Sequence, residues 1–247
     1  MATFVLVPGF WLGAWAWERV AEELRAAGHE VHPVTLTGLA ERADEATPGV
    51  DLDTHVADVL EVLEEGDLRE VVLVGHSGGM LPVTGAADRV PERLARVVYV
   101  DSAPLPSGMA QHDFNEPEER AAVEKRVAEE GDGWLLPAPP FDAAADPGSH
   151  ADMSEEVLAE IRARVTPQPF ATATQPLVRP EPVPDTPKTM VLNTIPREAV
   201  EQMVAAGHPL FAALGGPEWS FRELPTGHWP MFSKPVELAR LLADLAA

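Results

Sequence analysis

The sequence contains no cysteine, which excludes disulfide bonds, thiol nucleophiles and cysteine-ligated metals. Basic residues are few: 18 lysines and arginines stand against 40 acidic residues, giving a formal charge of −22. Nucleic acids and anionic membrane surfaces repel such a chain. No run of about 18 apolar residues is present to span a membrane, and residues 1–9 lack the basic region of a signal peptide. We therefore expect a cytoplasmic protein without nucleic-acid or membrane partners.

What the sequence does have is an alternation of short apolar runs with helical patterns. Predicted strands cover residues 4–7, 30–36, 71–74, 96–100, 189–194 and 220–224, and predicted helices cover 15–27, 78–88, 236–246 and a segment capped by Asp53. This order predicts an α/β fold with a mostly parallel sheet and helices on both faces. The length of 247 residues fits a single domain spanning 1–247.

The alternation is interrupted between residues 104 and 187, a segment rich in proline. It contains two helical patterns, at 116–130 and 154–165, and is too long for a simple loop. Apolar residues such as Trp134 and Phe141 argue against a disordered linker. We interpret 104–187 as a helical cap inserted over the end of the sheet.

Residues 75–79 match the pattern G-x-S-x-G, with Ser77 at its centre, between a predicted strand and a predicted helix. The pentapeptide alone is a weak signal, because a glycine-rich turn also accommodates a structural serine. Its strand–turn–helix position favours a nucleophile, since the tight turn exposes the serine hydroxyl. The backbone N–H of Gly78 then points at the developing oxyanion, and we assign a second donor to Phe10, after the first strand.

His228 follows the last predicted strand, where this architecture places its catalytic base. Its imidazole accepts and returns a proton near neutral pH. The other seven histidines lack this position and context. The acid that orients the base is less obvious, because no aspartate follows the strand ending near Thr194. Asp101, directly after the neighbouring strand, and Glu198 are the candidates. We favour Asp101 because its strand end lies closer to the nucleophile.

The sequence resembles a family of α/β-hydrolases that includes plant methyl-salicylate esterases and hydroxynitrile lyases, with many bacterial relatives. The resemblance covers almost the whole chain and is carried by residues 4–9, 13–15, 27–29, 37–39, 75–79, 166–169 and 227–228. It implies the α/β-hydrolase fold, Ser77 as nucleophile, His228 as base, and oxyanion donors at Phe10 and Gly78.

Three departures from the family pattern bear on function. Pro8 stands where members often carry histidine, which leaves the neighbouring backbone donor intact. The loop that carries the family's aspartate is shortened, which puts the acid in question. Trp229 follows His228 where the hydroxynitrile lyases carry a lysine to hold the cyanide leaving group. Cyanide release is therefore not expected.

The function predicted from these features is serine-dependent hydrolysis of a carboxylic ester through an acyl-enzyme. The substrate is expected to be a small apolar or aromatic molecule in a pocket lined by Trp11, Trp134, Phe141 and Trp229. No metal or other cofactor is implied, and a homodimer is left open. Two alternatives remain: a lyase or cofactor-free oxygenase that uses the same pocket, and a non-catalytic binding protein on the same fold.

Overall fold

The computed structural model describes residues 1–246. The strands are β1 (Thr3–Val7), β2 (Glu30–Pro33), β3 (Val71–His76), β4 (Leu94–Val100), β5 (Leu135–Leu136), β6 (Gln168–Pro169), β7 (Lys188–Leu192) and β8 (Trp219–Glu223). The helices are α1 (Glu18–Ala26), α2 (Leu52–Glu65), α3 (Met80–Arg89), α4 (Pro117–Glu130), α5 (Glu155–Arg164), α6 (Ala171–Thr174), α7 (Arg197–Ala205), α8 (Pro230–Ser233) and α9 (Pro235–Leu245).

Within the described residues, six strands form one sheet in the order β2-β1-β3-β4-β7-β8, and all neighbours are parallel. The central strand β3 is buried along its whole length. Its continuous apolar run is what a strand covered on both faces requires. The prediction of a parallel α/β sheet is confirmed, and the parallel arrangement brings the carboxyl ends of all six strands to one edge.

Successive side chains of the central strands point to opposite faces of the sheet, and each face has its own core. Phe4 and Leu6 of β1 pack with α1 and α9, whereas Val5 and Val7 pack with α2 and α3. Because strand side chains alternate with a period of two, a run of consecutive apolar residues is needed to fill both cores. This explains why β1 and β3 consist mainly of consecutive apolar residues.

The cap of helix α2 differs from the prediction. Asp51, two residues before Asp53, accepts a hydrogen bond from the backbone N–H of Thr54 at 2.9 Å, and the Thr54 hydroxyl bonds back to the Asp51 backbone. Asp53 therefore lies inside the helix, where it pairs with Arg89 and accepts a hydrogen bond from Gln175. The prediction of Asp53 as the cap was wrong because both aspartates precede the same apolar pattern, and the reciprocal partner Thr54 selects the first.

The segment 101–187 connects β4 to β7 and folds into α4, α5, α6 and a two-stranded antiparallel sheet of β5 and β6. Leu158 and Ile161 of α5 are buried in the core that also contains α1 and α9. Near the segment's end, Arg179 pairs with Asp88 of α3 at 2.7 Å, and both side chains are more than nine-tenths buried. The segment is thus packed against the sheet and its helices through α5 and again near its carboxyl end. In residues 1–246 no helix is long and apolar enough to cross a membrane.

Candidate active site

Three side chains far apart in the sequence form one chain of hydrogen bonds. The Ser77 hydroxyl donates to Nε2 of His228 at 2.9 Å, and Nδ1 of His228 donates to Oδ2 of Asp101 at 2.6 Å. An ionised carboxylate only accepts hydrogen bonds, so Nδ1 carries the proton and Nε2 has a free lone pair. The imidazole is therefore in the tautomer that accepts the serine proton.

Ser77 stands at a sharp turn between β3 and α3, with a backbone φ of +48°. Side chains other than glycine rarely adopt this left-handed region, and such strain is typical of functional turns. Gly79 permits the turn because a Cβ at this position would collide with the carbonyl oxygen of Pro8. Gly75 faces Val83 of α3, and its Cβ would lie 2.9 Å from a Val83 methyl group. The two glycines of the motif are therefore required by close packing.

The position of His228 is fixed through its backbone. Its N–H donates to the carbonyl of Ser149 at 2.8 Å, and its carbonyl accepts a hydrogen bond from Nε2 of His76 at 2.7 Å. His76, the last residue of β3, is fully buried, and burial together with the nearby His228 lowers the pKa of its imidazole to about 3. His76 is therefore neutral, with its proton on Nε2, and ties the base to the strand that carries Ser77.

Asp101 follows β4 with a φ of +46°, and only 5% of its side chain is exposed. Oδ1 accepts hydrogen bonds from the backbone N–H groups of Asn193 and Thr194, at 3.2 and 2.9 Å, and from the Thr194 hydroxyl at 3.0 Å. Burial would raise the pKa of this carboxyl, but the hydrogen bonds from His228 and Thr194 outweigh burial and hold the pKa below its ordinary value. Glu198, the other candidate acid, lies exposed in the first turn of α7.

The loop after β1 runs directly against the turn at Ser77. The ring of Phe10 covers Gly78, where a Cβ would lie 2.5 Å from Cδ1 of Phe10. A Cβ at Gly9 would lie 3.1 Å from Cβ of Ser77. The structure therefore brings the segment around Phe10, the predicted second oxyanion donor, next to Gly78, the other predicted donor. The neighbouring N–H of Trp11 is occupied, because it donates to Oε1 of Gln168 at 3.0 Å.

A cavity of about 270 Å³ opens beside the serine and the histidine. Its lining is mainly apolar and consists of Ser77, Met80, Asp101, Ser102, Ala103, Pro104, Leu105, Gln111, Phe114, Met190, Thr194, Ile195, Leu210, Phe211 and His228. Neither lysine nor arginine contributes to this wall. Within residues 1–246 no group of three or more histidine or carboxylate side chains is placed to hold a metal ion. The cavity fits a small apolar molecule with its reacting group at Ser77.

Comparison with known proteins places this arrangement in a family. A model described as the alpha/beta hydrolase family matches residues 4–241. A carbendazim hydrolyzing esterase of Nocardioides sp. (strain SG-4G) is 33% identical over 99% of this chain and 100% of its own length. The chain belongs to the α/β hydrolase family.

More distant α/β hydrolases are similar along their whole length. Methyl jasmonate esterase 1 of Vitis vinifera is 26% identical over 98% of this chain and 95% of its own. An extracellular α/β-hydrolase from a Paenibacillus species, described as sharing structural and functional homology with tobacco salicylic acid binding protein 2, superposes with a TM-score of 0.81. It is 21% identical and covers 99% of this chain and 98% of its own, so the likeness shows the shared fold.

The four aromatic residues predicted to line the pocket of this α/β hydrolase lie elsewhere. Phe141 and Trp229 are core residues, 0% and 5% exposed, with ring centroids 5.2 Å apart. Trp11 is half-buried and donates its indole N–H to the carbonyl of Leu136. Trp134 is also half-buried and directly precedes the short strand β5. This part of the prediction was wrong. In an irregular segment, the direction of a side chain depends on long-range packing that the sequence pattern does not contain.

Three polar residues at the site of the hydrolase were not singled out for a role by the sequence. Thr194 donates to Asp101, His76 holds the backbone of His228, and Gln168 binds the loop beside Phe10. Sequence signals existed for two of them. His76 stands inside the G-x-S-x-G motif, and Gln168 belongs to the segment 166–169 that resembles the cap of bacterial relatives.

Proposed function

We propose that this α/β hydrolase is a serine-dependent carboxylic ester hydrolase that cleaves a small apolar or aromatic ester through an acyl-enzyme. One observation carries the proposal: the hydrogen-bond chain from Ser77 through His228 to Asp101 opens onto an apolar cavity. A serine hydroxyl is a weak nucleophile by itself, and an adjacent imidazole oriented by a carboxylate is what activates it.

In the proposed reaction, Ser77 Oγ attacks the ester carbonyl while its proton passes to Nε2 of His228. The carbonyl oxygen becomes an oxyanion, which accepts hydrogen bonds from the backbone N–H groups of Phe10 and Gly78. Collapse of this intermediate breaks the ester C–O bond, and His228 returns its proton to the leaving alcohol. Water, deprotonated by the same imidazole, then attacks the acyl-enzyme, releases the carboxylic acid and regenerates the Ser77 hydroxyl.

Asp101 keeps its negative charge throughout this sequence. Its carboxylate holds the His228 proton on Nδ1 and stabilises the imidazolium that forms when Nε2 accepts the second proton. The low pKa of Asp101, maintained by the donors of Thr194, supports this role because the carboxyl stays ionised beside the imidazolium. The buried position also limits competition from water for the same hydrogen bond.

The relatives support ester cleavage and offer assay substrates. Carbendazim and methyl jasmonate appear in the names of two relatives that the chain matches over nearly their full length. We propose both compounds for testing, beside short-chain p-nitrophenyl esters as general substrates. The apolar lining of the cavity favours uncharged acyl groups over acyl groups that carry a carboxylate.

The direct test is turnover of p-nitrophenyl butyrate by the wild-type enzyme and by Ser77→Ala. We expect the wild type to release p-nitrophenolate continuously, and the variant to lose activity by about 10⁵-fold or more, as for removal of a catalytic serine. Ser220→Ala, at a serine of β8 that does not line the cavity, is the matched control and is expected to retain activity. Equal activity of wild type and Ser77→Ala would refute the proposal.

The main support for the alternative activities, a lyase or a cofactor-free oxygenase, was the absence of an evident acid in the sequence. The hydrogen bond from His228 to Asp101 removes that support, so ester hydrolysis is the function that we retain. A fluorophosphonate probe separates what is left: labelling of Ser77 without any ester turnover favours a lyase or oxygenase, and no labelling favours a binding protein. The cytoplasmic location, the absence of nucleic-acid and membrane partners, and a homodimer remain predictions from the sequence.

A further inference from the structure

The inserted segment holds the loop that carries Phe10, one of the two proposed oxyanion donors. Trp11, directly after Phe10, has three hydrogen-bonding groups, and residues of the segment bind all three. Its backbone N–H donates to Oε1 of Gln168 at 3.0 Å, its carbonyl accepts from the N–H of Thr166 at 3.1 Å, and its indole N–H donates to the carbonyl of Leu136 at 3.1 Å. Trp11 has a φ of +67°, an unusual backbone conformation that these bonds maintain.

Gln168 is itself held in one orientation. Its side chain is fully buried, and its Nε2 donates to the hydroxyl of Thr172 at 2.8 Å. The Thr172 hydroxyl in turn donates to the carbonyl of Pro169 at 2.6 Å. The Thr172 hydroxyl has a single proton, which it donates to Pro169, so it can only accept the hydrogen bond from Gln168. The group of Gln168 that faces Thr172 is therefore Nε2, and Oε1 faces Trp11. The side-chain amide therefore cannot flip without losing a buried hydrogen bond.

The N–H that Gln168 binds belongs to the peptide unit between Phe10 and Trp11. This unit shares the Cα of Phe10 with the peptide unit that carries the Phe10 N–H, so holding it in place restricts φ and ψ of Phe10 and with them the direction of the Phe10 N–H. Oxyanion donors act only when they are aimed in advance at the position of the developing charge, within a few tenths of an ångström. The bond to Gln168 also occupies the Trp11 N–H, so the Phe10 N–H is the donor that this loop contributes to the proposed oxyanion hole.

We propose that Gln168 is a positioning residue for the oxyanion hole, which orients the Phe10 amide from the inserted segment. The proposal rests on the function proposed above. It predicts that loss of Gln168 weakens binding of the tetrahedral intermediate more than binding of the substrate. The rate of both acylation and deacylation falls, because each passes through an oxyanion, while KM changes little.

The test compares Gln168→Met with Gln175→Met, a matched substitution in the same segment. Gln175 also accepts a backbone N–H bond, from Leu52 at 2.8 Å, but this bond holds the start of α2 and not the loop at Trp11. We expect Gln168→Met to lower kcat for p-nitrophenyl butyrate by about 10- to 100-fold, with KM within about twofold of wild type. Gln175→Met is expected to lower the melting temperature and to leave kcat unchanged.

A second readout isolates the oxyanion. An alkyl trifluoromethyl ketone adds to Ser77 Oγ and forms a hemiketal oxyanion, whereas the matching methyl ketone binds as a ground-state mimic. Gln168→Met should raise the inhibition constant of the trifluoromethyl ketone by about the same factor as it lowers kcat, and should not change that of the methyl ketone. Equal losses in the two glutamine variants, or a kcat of Gln168→Met equal to wild type, would overturn the proposal.

A second pair of variants decides the matter if Gln168→Met does not fold. Thr172→Val removes the acceptor that orients Gln168, and Thr174→Val is its control on the exposed side of the same helix. Thr172→Val should lower kcat by about threefold or more with KM unchanged, and equal kcat in the pair would contradict the proposal. If Ser77→Ala is as active as wild type, the proposed function itself fails. If Ser77→Ala is inactive and both positioning variants are normal, only this inference fails.

Discussion

The loops that follow β4 and β7 lie side by side at the carboxyl edge of the sheet. One loop supplies a hydrogen-bond acceptor, and the other supplies the donors that bind it. The β4 loop supplies the Asp101 carboxylate, and the β7 loop supplies the donors of Asn193 and Thr194 that surround it. The family resemblance places the acid on the β7 loop, where this chain has none. In the proposed site, the buried carboxylate at Nδ1 of His228 is therefore supplied by the neighbouring strand β4.

Sheet register explains how the exchange is possible. β4 and β7 are parallel neighbours, with Val100 opposite Val191, so both loops begin at the same height beside the base. The backbone N–H of Asp101 donates to the carbonyl of Val191 at 2.9 Å, which extends the pairing to the acid itself. Adjacent parallel strands lie about 4.8 Å apart. The carboxylate of an aspartate at the end of β4 can therefore hydrogen-bond to backbone groups at the end of β7.

The largest effect is expected from removal of the acid. In Asp101→Asn the new amide donates to Nδ1 of His228, which moves the imidazole proton to Nε2 and blocks acceptance from Ser77. By analogy with other triads, kcat for p-nitrophenyl butyrate should fall by about 10⁴-fold. Glu198→Gln, the control on the β7 side, should retain wild-type kcat. A large loss in Glu198→Gln with a small loss in Asp101→Asn would reverse the assignment of the acid.

The second prediction moves the carboxylate to the other loop. In the double variant Asp101→Asn, Thr194→Asp the acid would lie on the β7 loop, at a residue whose hydroxyl already lies 2.9 Å from Oδ2 of Asp101. We expect kcat to recover by about tenfold relative to Asp101→Asn, because a carboxylate again faces the imidazole. If the double variant has the same melting temperature as Asp101→Asn and its kcat does not recover, the β7 loop can supply hydrogen-bond donors but not the acid.

A smaller loss is expected when one donor of the β7 loop is removed. Thr194→Val deletes the hydroxyl that bonds both oxygens of Asp101 but keeps the backbone N–H bond. We expect kcat/KM to fall by about 3- to 10-fold, the effect of losing one typical hydrogen bond, because the backbone N–H bond to Asp101 remains. The acid limb of the pH profile should move to higher pH, since a carboxylate with fewer donors stabilises the imidazolium more strongly. Thr194→Ser should restore both values, and an unchanged profile in Thr194→Val would contradict this account.

The smallest effect concerns stability as a function of pH. The pKa of Asp101 is lower in the folded protein than its ordinary value of 3.8, so its contribution is fully present above that pH and is lost as the pH falls through the folded value. The stability advantage of wild type over Asp101→Asn in urea unfolding should therefore be present at about pH 5 and shrink as the pH falls below about 4. Protonation of His76 in the unfolded state, between pH 6.5 and about 3, destabilises both proteins and cancels in the difference. An advantage that does not shrink below about pH 4 would oppose the assignment.

The parts of the site that were predictable from the sequence are those that local geometry dictates. The turn at Ser77 is specified by glycines within two residues of it, and the burial of β3 by its unbroken apolar run. The choice of Asp101 needed one further step, the rule that parallel strands end at one edge. These features depend on neighbours in sequence or on the sheet, which the chain encodes directly.

The parts that escaped prediction depend on contacts between distant segments. Phe141 and Trp229 are aromatic residues of the kind that line apolar pockets, but in the structure both rings are packed inside the core. Gln168 is 157 residues from the N–H that it binds, so no local pattern indicates the bond. Asp53 shows the same limit at short range, since only the reciprocal bond of Thr54 distinguishes it from Asp51.

In the proposed mechanism, Ser77 is the nucleophile and the Asp101–His228 pair activates it. Peptide mapping by mass spectrometry after reaction with a fluorophosphonate tests this most directly. We predict one phosphonyl adduct, on the peptide that contains Ser77, formed rapidly in wild type and Glu198→Gln and much more slowly in His228→Ala and Asp101→Asn. An adduct on another residue, or equal rates in all four proteins, would contradict the account.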